Sequence, residues 1–466
     1  MKPLVLTTIA LFVVVNSYSQ PVTEPLGPSS RRTPITISEI MFKPADRADG
    51  RNTDFIELYN SNPWPEDVSG YRLSGQVDYV VPAATTIPSR GFLVVAAVPA
   101  DLQVVYGLAT VFGPYTNSLK TSGTVRLHDE QGSILLEADY DNIAPWPMGA
   151  DGTGHSIVLA RASYGEGDPR AWERSELISG SPGATEILQT NALRNVVINE
   201  VLAHTDPPVV DSVELYNHSN VGVFIGGCKL SDDPATNKYT IPGITIPARG
   251  FVSFTETQLG FSLDAAGETI YLKNPAGTQV LDALHFDAQE NGVSFGRSPD
   301  GTSEWSRLST PTFGTNNAAP LVSPVGFNEI MYHPLSGDDD QQYVEFYNRG
   351  TTNVNLGGWK LGGGIDFTFP ANCVLAANSY LVVGRNVSSL LANYPQLNAA
   401  NVFGNFSGRL SGNGERLTLT MPDTIVSTNG SGALLTNRID IVVDEVTYDT
   451  GGRWGRWSDG GGSSLE

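Results

Sequence analysis

The amino-acid sequence predicts an all-β protein made of three tandem β-sandwich modules. Its apolar runs are four to eight residues long and are bounded by Gly, Pro, Asn or Asp, as the strands of a sandwich are. The same block of motifs occurs three times, and a repeat of this kind indicates modules. Helical periodicity of useful length is absent outside the N-terminal apolar segment. The sequence allows a short helical turn near residues 99–106 or 388–394.

The length and composition predict several domains and argue against nucleic acid as a partner. A chain of 466 residues is too long for a single core, and its 49 Gly and 30 Pro residues imply many turns. There are 49 acidic and 28 basic side chains, which give a formal net charge of −21. Such a surface repels a phosphate backbone, so we expect no nucleic-acid partner.

The N-terminus has the pattern of an export signal. Lys2 precedes an apolar run over residues 4–15, and small residues suited to cleavage end at Ser19. The run is too short to span a bilayer comfortably, and no later stretch is long and apolar enough. The sequence therefore predicts a signal peptide at residues 1–19, a linker at 20–34, no membrane span after signal removal, and a secreted, periplasmic or cell-surface protein.

Two glutamates recur in each copy, 14 to 18 residues apart. Paired carboxyl groups can do acid–base work or hold a metal. A catalytic site seldom occurs three times in tandem, however, and apolar neighbours place these side chains on a partly apolar face. We interpret them as structural groups that cap backbone amides or meet an arginine. The pairs are Glu39 with Glu57, Glu200 with Glu214, and Glu329 with Glu345.

A glycine follows the second glutamate of each pair at a constant distance of 13 residues, at Gly70, Gly227 and Gly358. The loops before this frame vary in length. A constant spacing between variable loops marks a rigid structural unit. The Tyr-Asn dipeptide within the frame is predicted to end a strand, with its asparagine entering a turn.

The pattern also sets the predicted boundaries of the modules. The runs at residues 179–183 and 309–316 close the first two copies and are rich in small residues, Pro and Gly, as connectors are. The third copy lacks the closing part of the first, so we expect it to be C-terminally incomplete. Module 1 covers residues 35–183, module 2 covers 195–316 and module 3 covers 324–466, with linkers at 184–194 and 317–323.

The frame from Phe55 to Gly70, with the later apolar run at residues 90–95, resembles the lamin tail domain. The resemblance covers nearly all of residues 35–466. It implies an immunoglobulin-like β-sandwich without catalytic residues, of a kind found as tandem accessory modules in exported bacterial proteins. Cys228 departs from the pattern, because the other two copies have the aromatic residues Tyr71 and Trp359 there.

Few other side chains point to chemistry. Asp338, Asp339 and Asp340 are weak calcium candidates, but their loop lacks the regular spacing of a calcium loop, and a solvated acidic loop is the favoured interpretation. The histidines form no zinc motif, and no nucleophile elbow or phosphate-binding loop occurs. No cofactor is expected. Cys228 and Cys373 fall in different modules, which favours buried thiols over a disulfide.

These observations predict a non-enzymatic extracellular or cell-surface protein. Its modules would act as structural, adhesion or ligand-binding repeats, with a protein or glycan ligand that the sequence does not identify. The alternative is an accessory region, for targeting or spacing, of a larger secreted enzyme whose catalytic domain lies beyond residue 466.

Overall fold

The computed structural model describes residues 33–186, 191–428, 434–450 and 454–466. The predicted signal peptide lies outside these residues. The chain divides into two compact units, residues 1–195 and 196–466. The first unit contains module 1, and the second contains modules 2 and 3.

Module 1 has two five-stranded sheets and a short two-stranded ribbon. One sheet has the order β12-β11-β1-β2-β7, the other β10-β9-β4-β5-β8, and β3 pairs with β6. The strands are β1 Ile35–Met41, β2 Phe55–Asn60, β3 Glu66–Asp67, β4 Arg72–Gly75, β5 Val77–Val80, β6 Thr86–Ile87, β7 Phe92–Ala96, β8 Thr116–Asn117, β9 Gly123–His128, β10 Ile134–Tyr140, β11 Ile157–Leu159 and β12 Trp172–Arg174. Helix α1 is Pro99–Tyr106, and 3-10 turns lie at Met148–Ala150, Ala162–Tyr164, Pro169–Ala171 and Ala192–Asn195.

Module 2 repeats this plan. Its sheets have the orders β19-β14-β13-β22-β23 and β17-β16-β20-β21, and β15 pairs with β18. The strands are β13 Val196–Leu202, β14 Ser212–Asn217, β15 Val223–Phe224, β16 Lys229–Ser231, β17 Tyr239–Thr240, β18 Thr245–Ile246, β19 Phe251–Thr255, β20 Gly267–Lys273, β21 Val280–Asp287, β22 Phe295–Arg297 and β23 Trp305–Arg307, and helix α2 is Glu256–Leu259.

Module 3 has the orders β24-β25-β30-β31 and β32-β28-β27-β33-β34, and β26 pairs with β29. The strands are β24 Val325–Met331, β25 Tyr343–Asn348, β26 Val354–Asn355, β27 Lys360–Gly362, β28 Ile365–Thr368, β29 Val374–Leu375, β30 Tyr380–Gly384, β31 Val402–Gly404, β32 Ser407–Gly408, β33 Glu415–Thr428 and β34 Leu434–Tyr448. Helix α3 is Val387–Asn393, and 3-10 turns lie at Asp339–Gln341 and Arg456–Ser458.

The first two strands of module 1 are buried on both faces. Ile37 and Leu58 point into the main core between the two sheets. On the outer face, Met41 and Phe55 pack with Leu102 of α1 in a second apolar cluster. The side chains of β1 and β2 are therefore shielded from water throughout, and any carboxyl group among them needs hydrogen-bond partners.

The structure confirms the all-β fold with tandem modules. The two short helical turns that the sequence allows are helices α1 and α3, and no sequence pattern indicated the four-residue helix α2. The constant 13-residue frame carries the chain from β2, through the β3 ribbon, to β4 of the other sheet, and its counterparts do the same in modules 2 and 3. Gly70, Gly227 and Gly358 lie at the turn before the second sheet with φ of 77°, 89° and 78°, a conformation that favours glycine.

Candidate functional site

Each glutamate pair sits on two neighbouring antiparallel strands, directly opposite one another. Glu39 faces Glu57, and the same register recurs in the other modules. A bulge lies immediately before the first glutamate of each pair, at Ser38, Asn199 and Asn328. A bulge changes which face the following side chains point to. It therefore turns the first glutamate to the outer face of the sheet, beside the second.

The bulge residue also donates a hydrogen bond to the second glutamate. Ser38 Oγ donates to Glu57 Oε1 at 2.8 Å. In modules 2 and 3 an asparagine replaces the serine: Asn199 Nδ2 donates to Glu214 Oε1 at 3.2 Å and Asn328 Nδ2 to Glu345 Oε1 at 2.8 Å.

In module 1, the segment after β12 returns and covers the pair. Ser181 N–H donates to Glu39 Oε1 at 3.0 Å, and Gly183 N–H donates to Glu57 Oε2 at 2.5 Å. Ser156, next to β11, donates a hydrogen bond from its hydroxyl to Glu39 Oε1. Both carboxyl groups are only 1% exposed, so this closing segment seals them from solvent.

Module 2 has the same arrangement with different residues. Thr312 N–H donates to Glu200 Oε1 at 2.9 Å, and Gly314 N–H donates to Glu214 Oε2 at 2.5 Å. Ser294 Oγ donates to Glu200 Oε1 at 2.6 Å. A Ser/Thr-X-Gly segment thus caps the carboxyl pair in both modules, and neither glutamate of this pair is exposed.

Burial makes these carboxyl groups weak acids. It raises the pKa of Glu39 to about 8, and burial with the adjacent Glu39 raises the pKa of Glu57 well above its ordinary value. Burial likewise raises the pKa of Glu214 to about 8 and that of Glu200 in the same direction. Two adjacent buried carboxyl groups cannot both be charged at low cost, so burial and proximity favour the protonated form in the pairs of modules 1 and 2.

The third pair follows the same kind of bulge and also accepts a hydrogen bond from a serine hydroxyl. Its other hydrogen-bond partners differ from those of the first two pairs. Glu329 Oε1 accepts a hydrogen bond from the hydroxyl of Ser464 and another from Tyr343 Oη at 2.6 Å. Glu345 accepts a hydrogen bond from Asn328 alone among the described residues. Both glutamates are partly exposed. No Ser/Thr-X-Gly segment faces this pair within the described part of the chain.

Sequence reasoning missed these caps. The runs at residues 179–183 and 309–316 were expected to be connectors, whereas the structure uses them to satisfy the buried carboxyl groups. The shared Ser/Thr-X-Gly pattern was the available signal. The sequence alone does not show that Ser181 and Glu39, which are 142 residues apart, form a hydrogen bond.

The capped pairs have little capacity for chemistry. Acid–base catalysis needs a carboxyl group within hydrogen-bond reach of a substrate. In modules 1 and 2 the acceptor oxygens already bind serine, threonine and backbone N–H groups, and the closing segment lies over them. The arrangement therefore anchors the closing segments of modules 1 and 2 onto the first two strands of those modules.

The predicted calcium candidates lie in a turn just before β25, with Asp338 exposed and the other two aspartates partly exposed. Asp338 caps the turn by accepting from Asp340 N–H at 3.0 Å. Arg385 lies 3.7 Å from both Asp339 and Asp340, and Arg409 lies 3.7 Å from Asp339. These arginines supply the positive charge that a cation would otherwise bring.

Other candidate sites are sparse. An open cleft of about 360 Å³ in module 1 is lined by the loop at residues 44–49 with Thr53 and Ser179, and its Arg47 and Asp49 pair with each other at 2.8 Å. In the described ranges, no group of three or more His, Cys, Asp or Glu could hold a metal ion. Cys228 and Cys373 are buried free thiols, and burial raises the pKa of each to about 11.

Two-sheet sandwiches with a bulged first strand and a paired carboxyl cluster define the chain as a tandem array of immunoglobulin-like modules. The family model for the Lamin Tail Domain matches residues 28–163, 189–286 and 319–450. The chain belongs to this family. The first two matches end before the closing segments, so the caps on the carboxyl pairs of modules 1 and 2 lie outside the matched regions.

Comparison with solved structures finds a DUF4876 family protein from Bacteroides thetaiotaomicron VPI-5482. It is 13% identical, and the match covers 55% of this chain and 78% of that one with a TM-score of 0.21. A TM-score this low adds nothing to the fold assignment. A search of curated proteins finds no significant match. Among the described residues, no helix has the length and apolar character needed to cross a membrane.

Proposed function

We propose that the chain is an exported, non-catalytic protein whose lamin tail modules act as structural and ligand-binding repeats at the cell surface. The observation that carries this proposal is the state of the repeated carboxyl pairs. In modules 1 and 2 they are buried and capped by the closing segment. The repeated polar groups most suited to catalysis thus fix the closing segment of each of these two modules to its first two strands.

Non-catalysis is tested with the purified chain. We expect no turnover against panels of hydrolase, lyase and phosphoryl-transfer substrates, with and without divalent metal ions. The informative variant is Glu345→Gln, because Glu345 belongs to the one pair that is partly exposed. Turnover by the natural chain that this substitution abolishes would overturn the non-catalytic assignment.

Export rests on the N-terminal pattern, in which Lys2 precedes an apolar run that ends before Ser19. Expression of the full chain in an exporting bacterial host should yield a product outside the cytoplasm that begins at Gln20. The variant Val14→Arg places a charge in the apolar run and should keep the full-length chain in the cytoplasm. Cytoplasmic retention of the natural chain at full length would contradict the proposal.

The class of ligand is a protein or glycan of the cell surface. The net charge of −21 favours ligands that carry positive or no charge over polyanions. Arrays of neutral, basic and acidic glycans, probed with the labelled chain, provide the test. Selective binding of sulfated or phosphorylated glycans at physiological salt would contradict this charge preference.

A further inference from the structure

The hairpin between the last two strands of the second sheet is much longer in module 3 than in the other modules. Leu419 of β33 pairs with Asp444 of β34, which is 25 positions later. In module 2 the equivalent pair is Leu272 with Asp282, 10 positions apart, and in module 1 the separation is 9. Each pair begins opposite the leucine that follows the constant glycine by three positions. Module 3 therefore carries an insertion in this hairpin.

The inserted residues continue the two strands beyond the sandwich. The pairing of β27 with β33 ends at Lys360 opposite Thr420. From residue 421 onward, the only described strand that pairs with β33 is β34. We call residues 421–428 and 434–441 the inserted ribbon. A two-stranded ribbon is marginally stable in water by itself, so it needs a surface to pack against.

Module 2 provides such a surface. Asp423 Oδ2, in the inserted ribbon, accepts a hydrogen bond from Asn291 N–H of module 2 at 3.2 Å. The same oxygen lies 3.6 Å from Nδ1 of the buried His204. That nitrogen is also 2.8 Å from Gln289 O, so module 2 holds the imidazole in place. One carboxylate of the inserted ribbon thus contacts two separate segments of module 2.

A second charged contact joins the two modules at the base of the ribbon. Arg416 of β33 lies 3.4 Å from Asp287, the last residue of β21 in module 2. Its guanidinium also pairs with Glu445 of β34 at 2.5 Å. Residues 416 and 423 are separated by roughly 20 Å of strand. The contact between the modules therefore extends along β33 instead of resting on a single point.

Apolar side chains of the inserted ribbon are buried on the face that carries Asp423. Ile439 and Ile441 are 9% and 1% exposed. Ile439 lies directly opposite Asp423 in the ladder, and side chains opposite one another in an antiparallel pair point to the same face. On the other face, the opposed pair Thr424 and Arg438 is exposed. The ribbon is therefore two-sided, with its apolar and Asp423 side covered.

We propose that the inserted ribbon is an intramolecular clamp that makes modules 2 and 3 unfold as one cooperative unit. Domains in one chain move relative to one another unless an interface holds them. Here the ribbon supplies a buried apolar face, a hydrogen bond and an ion pair across the boundary. Residues 196–466 accordingly form one compact unit. This inference concerns the mechanics of the array and is independent of its ligand.

The first test shortens the ribbon in the full chain. Residues 423–441 are replaced by Ala-Gly-Thr-Gln, the turn that module 2 has at residues 276–279. Leu230→Ala then opens a cavity in the buried core of module 2. In the chain with the natural ribbon, this substitution should speed the hydrogen exchange of the slow amides of β27 in module 3 at least about tenfold. In the shortened chain, the same substitution should leave these rates unchanged.

A point variant tests the contact itself. Asp423→Ala removes the acceptor of Asn291 N–H. Exchange at this amide, followed by mass spectrometry of the peptide that contains it, should become about tenfold faster. Asp366→Ala removes a carboxylate from an exposed position of β28 in the same module and should leave that rate unchanged. Thermal unfolding of both variants checks that module 3 remains folded.

Two outcomes would overturn the inference. The first is an effect of Leu230→Ala on β27 that is equal in the natural and shortened chains, or absent from both. The second is an equal exchange rate at Asn291 in the Asp423→Ala and Asp366→Ala chains. Should the shortened chain not fold, the two point variants decide the question. None of these results bears on export or on the absence of turnover, so the wider functional proposal fails or stands on its own experiments.

Discussion

The asparagine that ends the second strand of each module is buried and uses its whole side chain in hydrogen bonds to the backbone. Asn60, Asn217 and Asn348 are fully buried. Each side-chain N–H₂ group lies within hydrogen-bond distance of three backbone carbonyls, and each Oδ1 accepts from the N–H two residues later. The side chain thus ties the strand end to the ribbon that follows.

The first prediction concerns this asparagine in module 2. Asn217→Ala removes the side-chain donor to the carbonyls of Val221, Ile246 and Pro247 and the acceptor of Ser219 N–H. Val221 O and Pro247 O each keep one other donor, Ser219 Oγ and Gly250 N–H. We expect a loss of at least about 2 kcal/mol in the free energy of unfolding, because buried unpaired polar groups keep their desolvation cost. Urea unfolding measures it. The exposed Asn237→Ala in the same module is the control, and equal losses in the two variants would contradict the prediction.

The second prediction concerns the pH dependence of the carboxyl pair in module 2. Burial raises the pKa of Glu214 from 4.5 to about 8 in the folded state. Its contribution to stability is therefore fully present below about pH 4.5 and is lost as the pH rises through about 8. Glu214→Gln keeps the side chain neutral, so the variant should gain stability relative to the natural chain as the pH rises.

The measurement for Glu214 is the melting temperature of both chains between about pH 5 and pH 9. The difference should widen in favour of Glu214→Gln across this range. Glu304→Gln, at an exposed position of the same module, should show no such trend. A difference that stays constant with pH would mean that Glu214 ionises normally in the folded chain.

At the scale of elements, the closing segments act as part of each sandwich. In module 1 the segment is fixed at several points: Ser181 and Gly183 bind the two glutamates, and Ser179 O accepts from Tyr106 Oη of α1 at 2.7 Å. The segment joins the last strand, the first two strands and the helix. Loss of these hydrogen bonds should lower the free energy of unfolding of module 1.

The third prediction tests the fit of this segment. Gly180 has φ of 71°, and an added Cβ would lie 2.0 Å from Glu39 Oε1. Gly107, with φ of 69°, has nothing within 4 Å of an added Cβ. Both alanine variants incur the strain of a left-handed residue, about 1–2 kcal/mol. Gly180→Ala should lose clearly more stability by calorimetry because it also displaces the carboxyl group, and equal losses would contradict this explanation.

The fourth prediction concerns the acidic turn before β25. Because Arg385 and Arg409 lie near Asp339 and Asp340, millimolar calcium should leave the melting temperature unchanged. A ligand bound only by the folded state must raise that temperature. A calcium-dependent rise that Asp339→Asn removes would instead establish a calcium site there.

At the scale of the whole molecule, the net charge of −21 is the property that governs encounters with other macromolecules. The fifth prediction is that the chain does not bind duplex or single-stranded nucleic acid. Gel-shift assays at about 50 mM salt provide the strictest test, since electrostatic binding is strongest at low salt. A basic peptide serves as the positive control. A shift that weakens steeply with added salt would contradict the prediction.

The three modules share their first two strands and differ in which described residues cover the carboxyl pair. Modules 1 and 2 each have a closing strand and a cap, whereas the described residues of module 3 place four strands and a bridge from Leu465 to Ile330 in the corresponding sheet. The same first two strands, bulge and glutamates occur in all three. The bulged first strand and the carboxyl pair are thus the constant part of the module.

The sequence by itself determined the all-β class, the repeat and the 13-residue frame from Glu57 to Gly70, because strand periodicity and turn residues are local signals. Only the tertiary structure decided that Ser38 is a bulge that turns Glu39 beside Glu57, and that Ser181 caps the pair. The physical reason is that these contacts depend on strand order and register. Those follow from which faces pack together, and local periodicity does not encode a contact between residues 142 positions apart.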